Sequence, residues 1–421
     1  MVDVLILSTY DTDGAGKFTL QLSNSLQELG YSTRVVCVRS RSGDVNTYGL
    51  IDGYPMRQVT YRLTQEFERR LFSVRPEYAF IHLHGLSDRS VLDSGVWPNK
   101  CRLIICTFLS GMMSPSAFLA VRERYRNPPV IFYGVDMNLY TGGCHYSRDC
   151  IAYQEDCSNC PAVPKSLRTK VNRDFKEKID CFQRIKQHIV VASSNEHYQQ
   201  MSRSRIFEKS DIRHLLMAVD NCLYGKYEAT REDLKKTYGF TGRAILVRSS
   251  SEPRKGCDLF VEAIRRIEKE MPEILNTMTI VAIGDQYVSD QLRDLQLNIY
   301  SPGFISDKDE LSKMYSAADV FLMTSHSDSG PVMLAQSLMS GTPVISTDVG
   351  LARDLVCPPL NGNIMKSPCA SELKDLVVSF FDSSDEEIAI MRKNARELAL
   401  EQLGEAHYQA NLDKMVGEML G

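Results

Sequence analysis

The chain has 421 residues, which is too long for one ordinary hydrophobic core and predicts two domains. Its net charge of −4 argues against a nucleic-acid-binding protein, since such proteins present a strongly basic face. No apolar run is long enough to cross a bilayer, and Val2 to Leu7 is interpreted as a strand rather than a signal peptide, so we expect a cytoplasmic protein.

The first strand, Val2 to Ser8, leads into a glycine-containing loop, Thr9 to Gly16, before a helix that begins at Lys17. Glycines such as Gly14 and Gly16 let a phosphate approach the backbone. The P-loop pattern is absent, because no Ser or Thr follows the lysine after Gly16, and the GxGxxG dinucleotide pattern is absent as well. Two interpretations stay open: phosphate binding at this loop, and glycines that only allow close packing.

The segment after the strand Tyr31 to Val38 is rich in arginine. These arginines include Arg39, Arg41, Arg57, Arg62, Arg69 and Arg70. One interpretation is an ordinary solvated surface. The other is a basic patch that contacts an anionic membrane leaflet and collects a lipid-linked substrate. A short strand, Phe80 to His84, is predicted next.

A cysteine-rich loop, 141–161, follows the strand Val130 to Tyr133 and Asp136, and it opens with the motif TGGCHY. Its cysteines are Cys144, Cys150, Cys157 and Cys160. The spacing C-x5-C-x6-C-x2-C can surround a tetrahedral zinc ion, and a reducing compartment favours metal ligation over disulfides. Disulfide bonds and reduced, packed thiols remain alternatives, and His145 could replace one thiol. A zinc ion here would hold the loop and take no part in the chemistry.

A second series of alternating strands and helices starts with the strand Ala244 to Arg248. The next loop places Arg254 and Lys255 before a helix, where acidic residues are normally preferred. Lys255 is therefore our leading candidate for cancelling charge on a departing phosphate, with Arg248 or Arg254 as its partner. The alternative is that these are ordinary surface cations.

The strand Val320 to Ser325, an acidic turn and a proline predict a helix whose first free amides can bind an anion. The residues expected at this second phosphate site are Gly330, Pro331 and Val332.

These motifs, in this order, resemble glycosyltransferase family 4 of the GT-B fold. The TGGCHY motif with its four cysteines resembles the branch that makes colanic acid and similar exopolysaccharides. The resemblance implies an α/β protein with two Rossmann-like parallel-sheet domains that face a cleft. It implies an acceptor-side domain at 1–211, a nucleotide-sugar-binding domain at 212–400, and a helix at 401–421 that crosses back to the N-terminal domain.

The resemblance also assigns roles at the donor site. It places Asp328 near the donor sugar and Gln336 on the nucleotide ribose, where the family carries a pair of glutamates. It places Asp136 in the sugar pocket, and Val135 where the family carries a histidine. The residues implied near the nucleotide base are Phe304 and Ile305. The expected catalytic residues are Asp328, Lys255 and Asp136.

The implied activity is transfer of a sugar from a UDP-, GDP- or TDP-sugar to a free or lipid-linked glycan, with retention of configuration and no catalytic metal, in surface polysaccharide biosynthesis. A peripheral contact with the cytoplasmic face of the inner membrane is also implied. The alternative is a catalytically inactive GT-B protein that binds nucleotide-sugar or glycan, because Val135, Asp328 and Gln336 depart from the family's residues. A sugar-nucleotide epimerase would need a matched set of carboxylates and a histidine, which the sequence lacks.

Overall fold

The computed structural model describes residues 2–72, 75, 78, 80, 85–330 and 332–421, and of Asp13 only the backbone. These residues form two compact units. The first contains the chain up to Leu215 together with Gln409–Gly421, and the second is Leu216–Tyr408. The domain boundaries expected from the sequence, 211/212 and 400/401, stay a prediction. In the described part of the chain, no helix has the length and the apolar composition that crossing a membrane requires.

The first unit is built on a parallel sheet. Among the described residues it has seven strands in the order β3-β2-β1-β4-β5-β6-β7. Their bounds are β1 Val2–Ser8, β2 Thr33–Cys37, β3 Thr47–Gly49, β4 Cys101–Phe108, β5 Val130–Gly134, β6 His188–Ala192 and β7 Asp211–His214. Every residue of β5 is buried, as expected for a central strand of a parallel sheet. The strand order reverses beside β1, so the loops after β1 and β4 lie next to each other at the carboxyl edge of the sheet.

Helices connect these strands. Their bounds are α1 Asp13–Glu28, α2 Pro55–Phe72, α3 Asp88–Leu92, α4 Pro115–Arg124, α5 Arg168–Arg184 and α6 Asn195–Arg203. In α1 the side chains of Phe18, Leu22 and Leu26 recur at helical spacing and are buried. In the last helix, α16 (Glu405–Leu420), Asp413 accepts a hydrogen bond at 2.7 Å from the hydroxyl of Tyr31.

The second unit contains another parallel sheet, with six strands in the order β10-β9-β8-β11-β12-β13 among the described residues. Their bounds are β8 Arg243–Ser249, β9 Met278–Gly284, β10 Asn298–Gly303, β11 Val320–Met323, β12 Val344–Ser346 and β13 Gly362–Ile364. Alternate residues of β8 face opposite sides. Leu246 belongs to one hydrophobic core and Ile245 to the other, so the sheet is covered on both faces.

The helices of this unit begin with α7 and end with α15. Their bounds are α7 Arg231–Thr237, α8 Cys257–Glu270, α9 Pro272–Leu275, α10 Tyr287–Leu292, α11 Lys308–Ala317, α12 Val332–Met339, α13 Ala352–Leu355, α14 Ala370–Asp382 and α15 Asp385–Leu403. A capping box between Ser384 and Glu387 fixes the start of α15.

Three expectations about local structure differ from the structure. The first helix begins at Asp13 and not at Lys17, because Gly16 already donates its amide to the carbonyl of Thr12 at 3.1 Å. No strand was predicted at 211–214, where the structure has an additional edge strand, β7, whose residues are exposed or only partly buried and form no apolar run.

The arginine-rich segment contains α2, an 18-residue helix, where the sequence predicted a solvated surface or a membrane-contacting basic patch but no helix. Of the predicted strand Phe80 to His84, Phe80 pairs with Cys144 in an antiparallel bridge. The remaining residues of that strand lie outside the described residues.

Candidate functional site

Two loops of the second unit meet at the carboxyl edge of its sheet. β8 and β11 are parallel neighbours, with Phe321 opposite Leu246, so the loops that follow them emerge side by side. The amide of His326 donates to the carbonyl of Arg254 at 2.9 Å, and the hydroxyl of Thr324 donates to the carbonyl of Lys255 at 3.3 Å. These bonds join the loop after β8 to the loop after β11, and we call the pair the twin loops, residues 250–256 and 324–330.

Gly256 makes this close approach possible. Its φ angle is +62°, in the left-handed region that favours glycine, and it immediately precedes α8. A Cβ atom at this position would lie 2.0 Å from the carbonyl oxygen of Thr324. Any larger residue would therefore push the twin loops apart.

A cluster of opposite charges lies between the twin loops. The Nζ of Lys255 donates to Oδ2 of Asp328 at 2.5 Å, and the Lys255 side chain is only 6% exposed. The guanidinium of Arg254 donates to the carbonyl of Ser327 at 2.9 Å and lies 3.7 Å from the same carboxylate oxygen. Two cations thus share one carboxylate, and the Nε of Arg254 also donates to Glu252 at 2.9 Å. With Arg248, which acts on Lys255 as a nearby like charge, three cations face two carboxylates, and the site keeps the positive charge that an anionic ligand requires.

Burial lowers the pKa of Lys255, and Asp328 acts in the opposite direction by stabilising the ammonium. Arg248 and Arg254 lower this pKa further, because they are like charges nearby. Arg248 is the last but one residue of β8 and its side chain is exposed, whereas Arg254 is largely buried in the cluster. The sequence did not decide whether Arg248 or Arg254 is the partner cation of Lys255. In the structure, Arg254 is the one that contacts the second loop directly.

The second loop leads into α12. Val332 and Met333 are the first residues of this helix, and amides in a first helical turn have no partner within the helix. Val332 is 38% exposed. Among the described residues, no heavy atom lies within 4 Å of where a Cβ on Gly330 would stand. Pro331, which we predicted at the start of this helix, lies outside the described residues.

Ser329 is a residue of this loop that the sequence reasoning missed. Its side chain is buried, and its hydroxyl has no hydrogen-bond partner within the described ranges. A buried hydroxyl without a partner is costly in a folded protein, so this position suits an additional acceptor or donor. In the sequence, the one feature that could have pointed to Ser329 as a site residue was its place in the run Ser327-Asp328-Ser329-Gly330.

Gln336 lies one turn into α12. Its side chain is half-buried, and its Oε1 accepts a hydrogen bond at 3.2 Å from the hydroxyl of Tyr315, which is fully buried. The amide group is therefore held in one orientation, with its nitrogen available to donate. Phe304 follows β10 and is 78% exposed, while Ile305 is half-buried against the core of this unit.

The other predicted site residues belong to the first unit. Gly14 and Gly16 lie in the first turn of α1 and not in a loop. A Cβ on Gly16 would lie 2.4 Å from the carbonyl carbon of Asp11, so this glycine allows close packing. Around a Cβ on Gly14, no heavy atom lies within 4 Å in the described part of the chain. A phosphate-binding role for either glycine stays a prediction.

Asp136 follows β5 and is held from two sides. Its Oδ1 accepts the amide of Asn138 at 2.8 Å, and its Oδ2 pairs with Nδ1 of His145. The His145 ring is buried and stacks on Phe108 with 5.3 Å between ring centroids. The histidine of the TGGCHY motif thus contacts this carboxylate. From the sequence, the role considered for His145 was replacement of one thiol at the zinc site.

A buried lysine fixes the segment after Asp136. Lys178 of α5 donates to the carbonyl of Thr141 at 2.8 Å and also to that of Asn138. Burial lowers the pKa of Lys178 to about 8. Lys178 and Asp136 also line an apolar cavity of about 60 Å³, whose other walls include Phe108, Phe118 and Phe132.

The four cysteines of the loop surround a second cavity of about 10 Å³, which is barely large enough for one water molecule. Burial raises the pKa of Cys144 to about 12 and also raises those of Cys157 and Cys160, which favours protonated thiols. All four side chains are free thiols. Among the described residues, no group of three or more His, Cys, Asp or Glu side chains is placed to hold a metal ion. The structural zinc stays a prediction.

Residues 230–398 match the family model described as Glycosyl transferases group 1. The chain carries a group 1 glycosyltransferase domain. The twin loops and α12 all lie within this group 1 domain. The predicted enzyme class, a glycosyltransferase, is confirmed at the level of this domain. Membership of family 4 and of its colanic acid branch stays a prediction.

A curated relative and several solved structures are similar to the chain. Mannosylfructose-phosphate synthase of Agrobacterium fabrum is 26% identical over 141 residues, which are 30% of this chain and 30% of that protein. Sucrose-phosphate synthase from Thermosynechococcus elongatus has a TM-score of 0.68 and 14% identity, over 100% of this chain and 99% of that one. Anabaena HepE in complex with UDP has a TM-score of 0.65 and 14% identity, over 99% and 100%. The predicted GT-B fold class is confirmed by these structures.

Proposed function

We propose that this protein transfers a sugar from a nucleotide-sugar donor to a glycan or lipid-linked saccharide acceptor. The observation that carries the proposal is the cluster of Lys255, Arg254 and Asp328 at the twin loops, beside the amino end of α12. Cations and free helical amides at one edge of a parallel sheet form a site suited to a diphosphate. HepE has been solved with UDP and with UDP-glucose, which supports a nucleotide-sugar as donor.

In the proposed reaction, an acceptor hydroxyl attacks the anomeric carbon of the donor sugar. A carbon–oxygen bond to the acceptor forms, and the bond between the anomeric carbon and the diphosphate oxygen breaks. The hydroxyl proton passes to the departing phosphate. Negative charge grows on the diphosphate during this step, and fixed positive groups that meet it lower the barrier.

The side chains of the twin loops supply those positive groups. Lys255 and Arg254 neutralise the leaving diphosphate, and Arg248 adds a third cation at the end of β8. Asp328 serves two purposes: it holds Lys255 in place and presents its other oxygen to the sugar hydroxyls. Gln336 donates its amide hydrogens to the ribose, since its oxygen is already bound to Tyr315. Phe304 and Ile305 lie at the position proposed for the base.

The finer features follow from the sequence resemblance. We propose retention of anomeric configuration, membership of family 4 and a role in exopolysaccharide synthesis, as the TGGCHY motif and the four-cysteine loop suggest. UDP, GDP and TDP remain alternative nucleotides. Asp136 is proposed to shape the sugar pocket, and its pairing with His145 fixes the direction of its carboxylate.

Calorimetry with UDP-, GDP- and TDP-sugars, combined with a nucleotide-release assay in the presence of saccharide acceptors, tests this function. We expect one nucleotide class to bind, and the bound donor to be turned over when an acceptor is added. Absence of binding by all three classes would reject the proposal.

A second candidate is a catalytically inactive protein that binds nucleotide-sugar or glycan. It is favoured by Gln336, which has an uncharged amide where the family carries a glutamate, and by the shorter side chain of Asp328. Donor binding without sugar transfer or donor hydrolysis, across a panel of acceptors, would favour this second function.

A further inference from the structure

The apolar cavity of the first unit opens beside Asp136. Its wall is formed by the ends of the neighbouring strands β4 and β5, the loops that follow them, and the helices α4 and α5. Partly exposed wall residues at and after these strand ends are Phe108, Leu109, Val135, Asp136 and Leu139. The floor is buried and contains Cys106, Phe118, Phe132 and Phe182. The cavity is therefore open at the carboxyl edge of the sheet, where α/β proteins bind ligands.

Three polar side chains in the wall of this cavity already have partners. The hydroxyl of Thr107 is hydrogen-bonded to that of Thr19 at 2.7 Å, and the hydroxyl of Ser114 donates to Asp88 at 2.6 Å. The ammonium of Lys178 donates to two backbone carbonyls. A hydroxyl or an amine placed in the cavity would lose its hydration without gaining comparable hydrogen bonds. The cavity therefore suits an apolar group.

The volume of the cavity limits the size of that group. An apolar cavity of about 150 Å³ holds benzene. The cavity of about 60 Å³ described here therefore holds a group of about two to three carbon atoms. A lipid chain or an aromatic ring is too large for this volume, whereas the acetyl part of an acetamido group fits it.

The carboxylate of Asp136 can bind the polar end of such a group. Its Oδ1 accepts the amide of Asn138 and its Oδ2 pairs with His145. A carboxylate has about four acceptor positions, so about two stay available among the described contacts of Asp136. The Asp136 side chain is 13% exposed, so a ligand at the opening can reach it. An acetamido group carries an N–H donor directly beside its acetyl part, which matches a carboxylate beside an apolar cavity.

We propose that the apolar cavity binds the acetamido group of a sugar substrate. The methyl group occupies the cavity, and the amide N–H donates a hydrogen bond to a carboxylate oxygen of Asp136. A hydroxyl or a free amine on the same sugar carbon would leave the cavity unfilled, and an O-acetyl group would lack the N–H donor. This inference rests on the proposed sugar transfer, and it narrows the substrates of that reaction to a class in which one sugar is N-acetylated.

Saturation-transfer NMR of the full-length protein with methyl glycosides tests the cavity, because transferred saturation reports which ligand protons lie against the protein. The ligands are the parent hexose, its 2-amino form, its N-acetyl form and its N-butyryl form, in both the gluco and the galacto series. We expect the strongest transfer at the acetyl methyl protons. The N-acetyl form of one series should bind about tenfold more tightly than its parent hexose, because it buries a methyl group and gains a hydrogen bond. The N-butyryl form should bind about fivefold more weakly than the N-acetyl form, because its chain exceeds the cavity.

Cys181 lines the cavity from α5, so substitutions there change the volume without touching Asp136. Cys181→Leu should abolish the preference for the N-acetyl form and leave binding of the parent hexose unchanged. Cys181→Ala should enlarge the cavity and bring the N-butyryl form to the affinity of the N-acetyl form. The matched control is Cys222→Leu, the same substitution at an exposed cysteine of the second unit, which should leave all affinities unchanged. Circular dichroism establishes that each variant is folded.

Equal affinities for the N-acetyl and parent forms in both series would overturn the inference. So would a folded Cys181→Leu variant that keeps the N-acetyl preference, because the acetyl group would then bind elsewhere. The nucleotide-release assay separates this failure from a failure of the proposed function. Turnover of a donor and an acceptor that both lack acetamido groups, at the rate of their N-acetylated counterparts, would reject the acetamido class and leave sugar transfer standing.

Discussion

Lys255 donates to Asp328 across the twin loops at 2.5 Å, and both side chains are largely removed from solvent. The contact joins residues 73 positions apart in the chain, at the point where the two loops are also bonded through their backbones. A cation held in this way keeps its position before a phosphate arrives. Pre-positioned charge of this kind is the property that electrostatic catalysis uses.

Lys255→Ala should reduce the rate of sugar transfer about a hundredfold or more, because one fixed cation at the leaving diphosphate is removed. The initial rate of nucleotide release measures this effect. The control is Lys269→Ala, which removes an exposed lysine from the far end of α8 and should leave the rate unchanged. Equal rates for Lys255→Ala and the unmodified enzyme would remove Lys255 from the mechanism.

The transfer rate should fall at alkaline pH, below the range in which an ordinary lysine titrates, because burial lowers the pKa of Lys255. Asp328→Asn should move this fall to lower pH, since the carboxylate raises that pKa. Arg248→Ala should move it to higher pH, since the guanidinium lowers that pKa. The pH profile of the rate measures both shifts. Shifts in the same direction would contradict the electrostatic assignment.

The free energy of unfolding should also depend on the titration of Lys255, but it should rise with pH where the transfer rate falls. The pKa of Lys255 is lowered in the folded state, so the unfolded chain binds more protons between the lowered and the ordinary value. The contribution of Lys255 to the free energy of unfolding therefore rises with pH in that window, while the transfer rate falls. Denaturant unfolding of the unmodified protein and of Lys255→Met across that range measures the difference.

Gly256→Ala should destabilise the protein by more than about 3 kcal/mol, because it adds a backbone clash to the cost of a left-handed conformation. The control is Gly239→Ala, whose φ of +69° is similar but whose Cβ position has no neighbour within 4 Å among the described residues. It should cost only about 1 kcal/mol. Free energies of unfolding in urea separate the two. Similar values would show that the contact with Thr324 contributes little.

Gln336→Ala should raise the KM for the donor about fivefold, with a small change in kcat, because a ribose hydrogen bond of about 1 kcal/mol is lost. Gln336→Glu should lower the KM, since a carboxylate accepts from both ribose hydroxyls and still accepts from Tyr315. Steady-state kinetics with varied donor measure both constants. Gln291→Ala, at an exposed position of α10, serves as the control. A KM for Gln336→Ala equal to that of the unmodified enzyme would place the ribose elsewhere.

The strands were the most predictable part of the fold. Val2–Ser8 has the bounds that the sequence indicated, and Val130–Gly134 is one residue longer than predicted. Strands of a parallel sheet are covered on both faces and therefore appear as apolar runs. The short edge strand Asp211–His214 has no such run and was missed. Helix α2 was missed for a related reason: its apolar residues face outward, so the arginines dominated the interpretation.

The site was predictable as a set of residues but not as a set of contacts. The pair of cations before α8 pointed to Lys255, whereas its bond to Asp328 depends on which strands are neighbours in the sheet. The choice between Arg248 and Arg254 depends on the side-chain direction at the end of β8. The pairing of Asp136 with His145 arises from the fold of a loop that spacing alone cannot specify.

The backbone bonds between the twin loops have a practical consequence for altering donor preference. A loop that is exchanged alone would lose its fit at Gly256 and Thr324, and at the bond from His326 to Arg254. Libraries that vary residues 250–256 and 324–330 together, as one transplantable cassette, should retain more folded members than libraries that vary either loop separately.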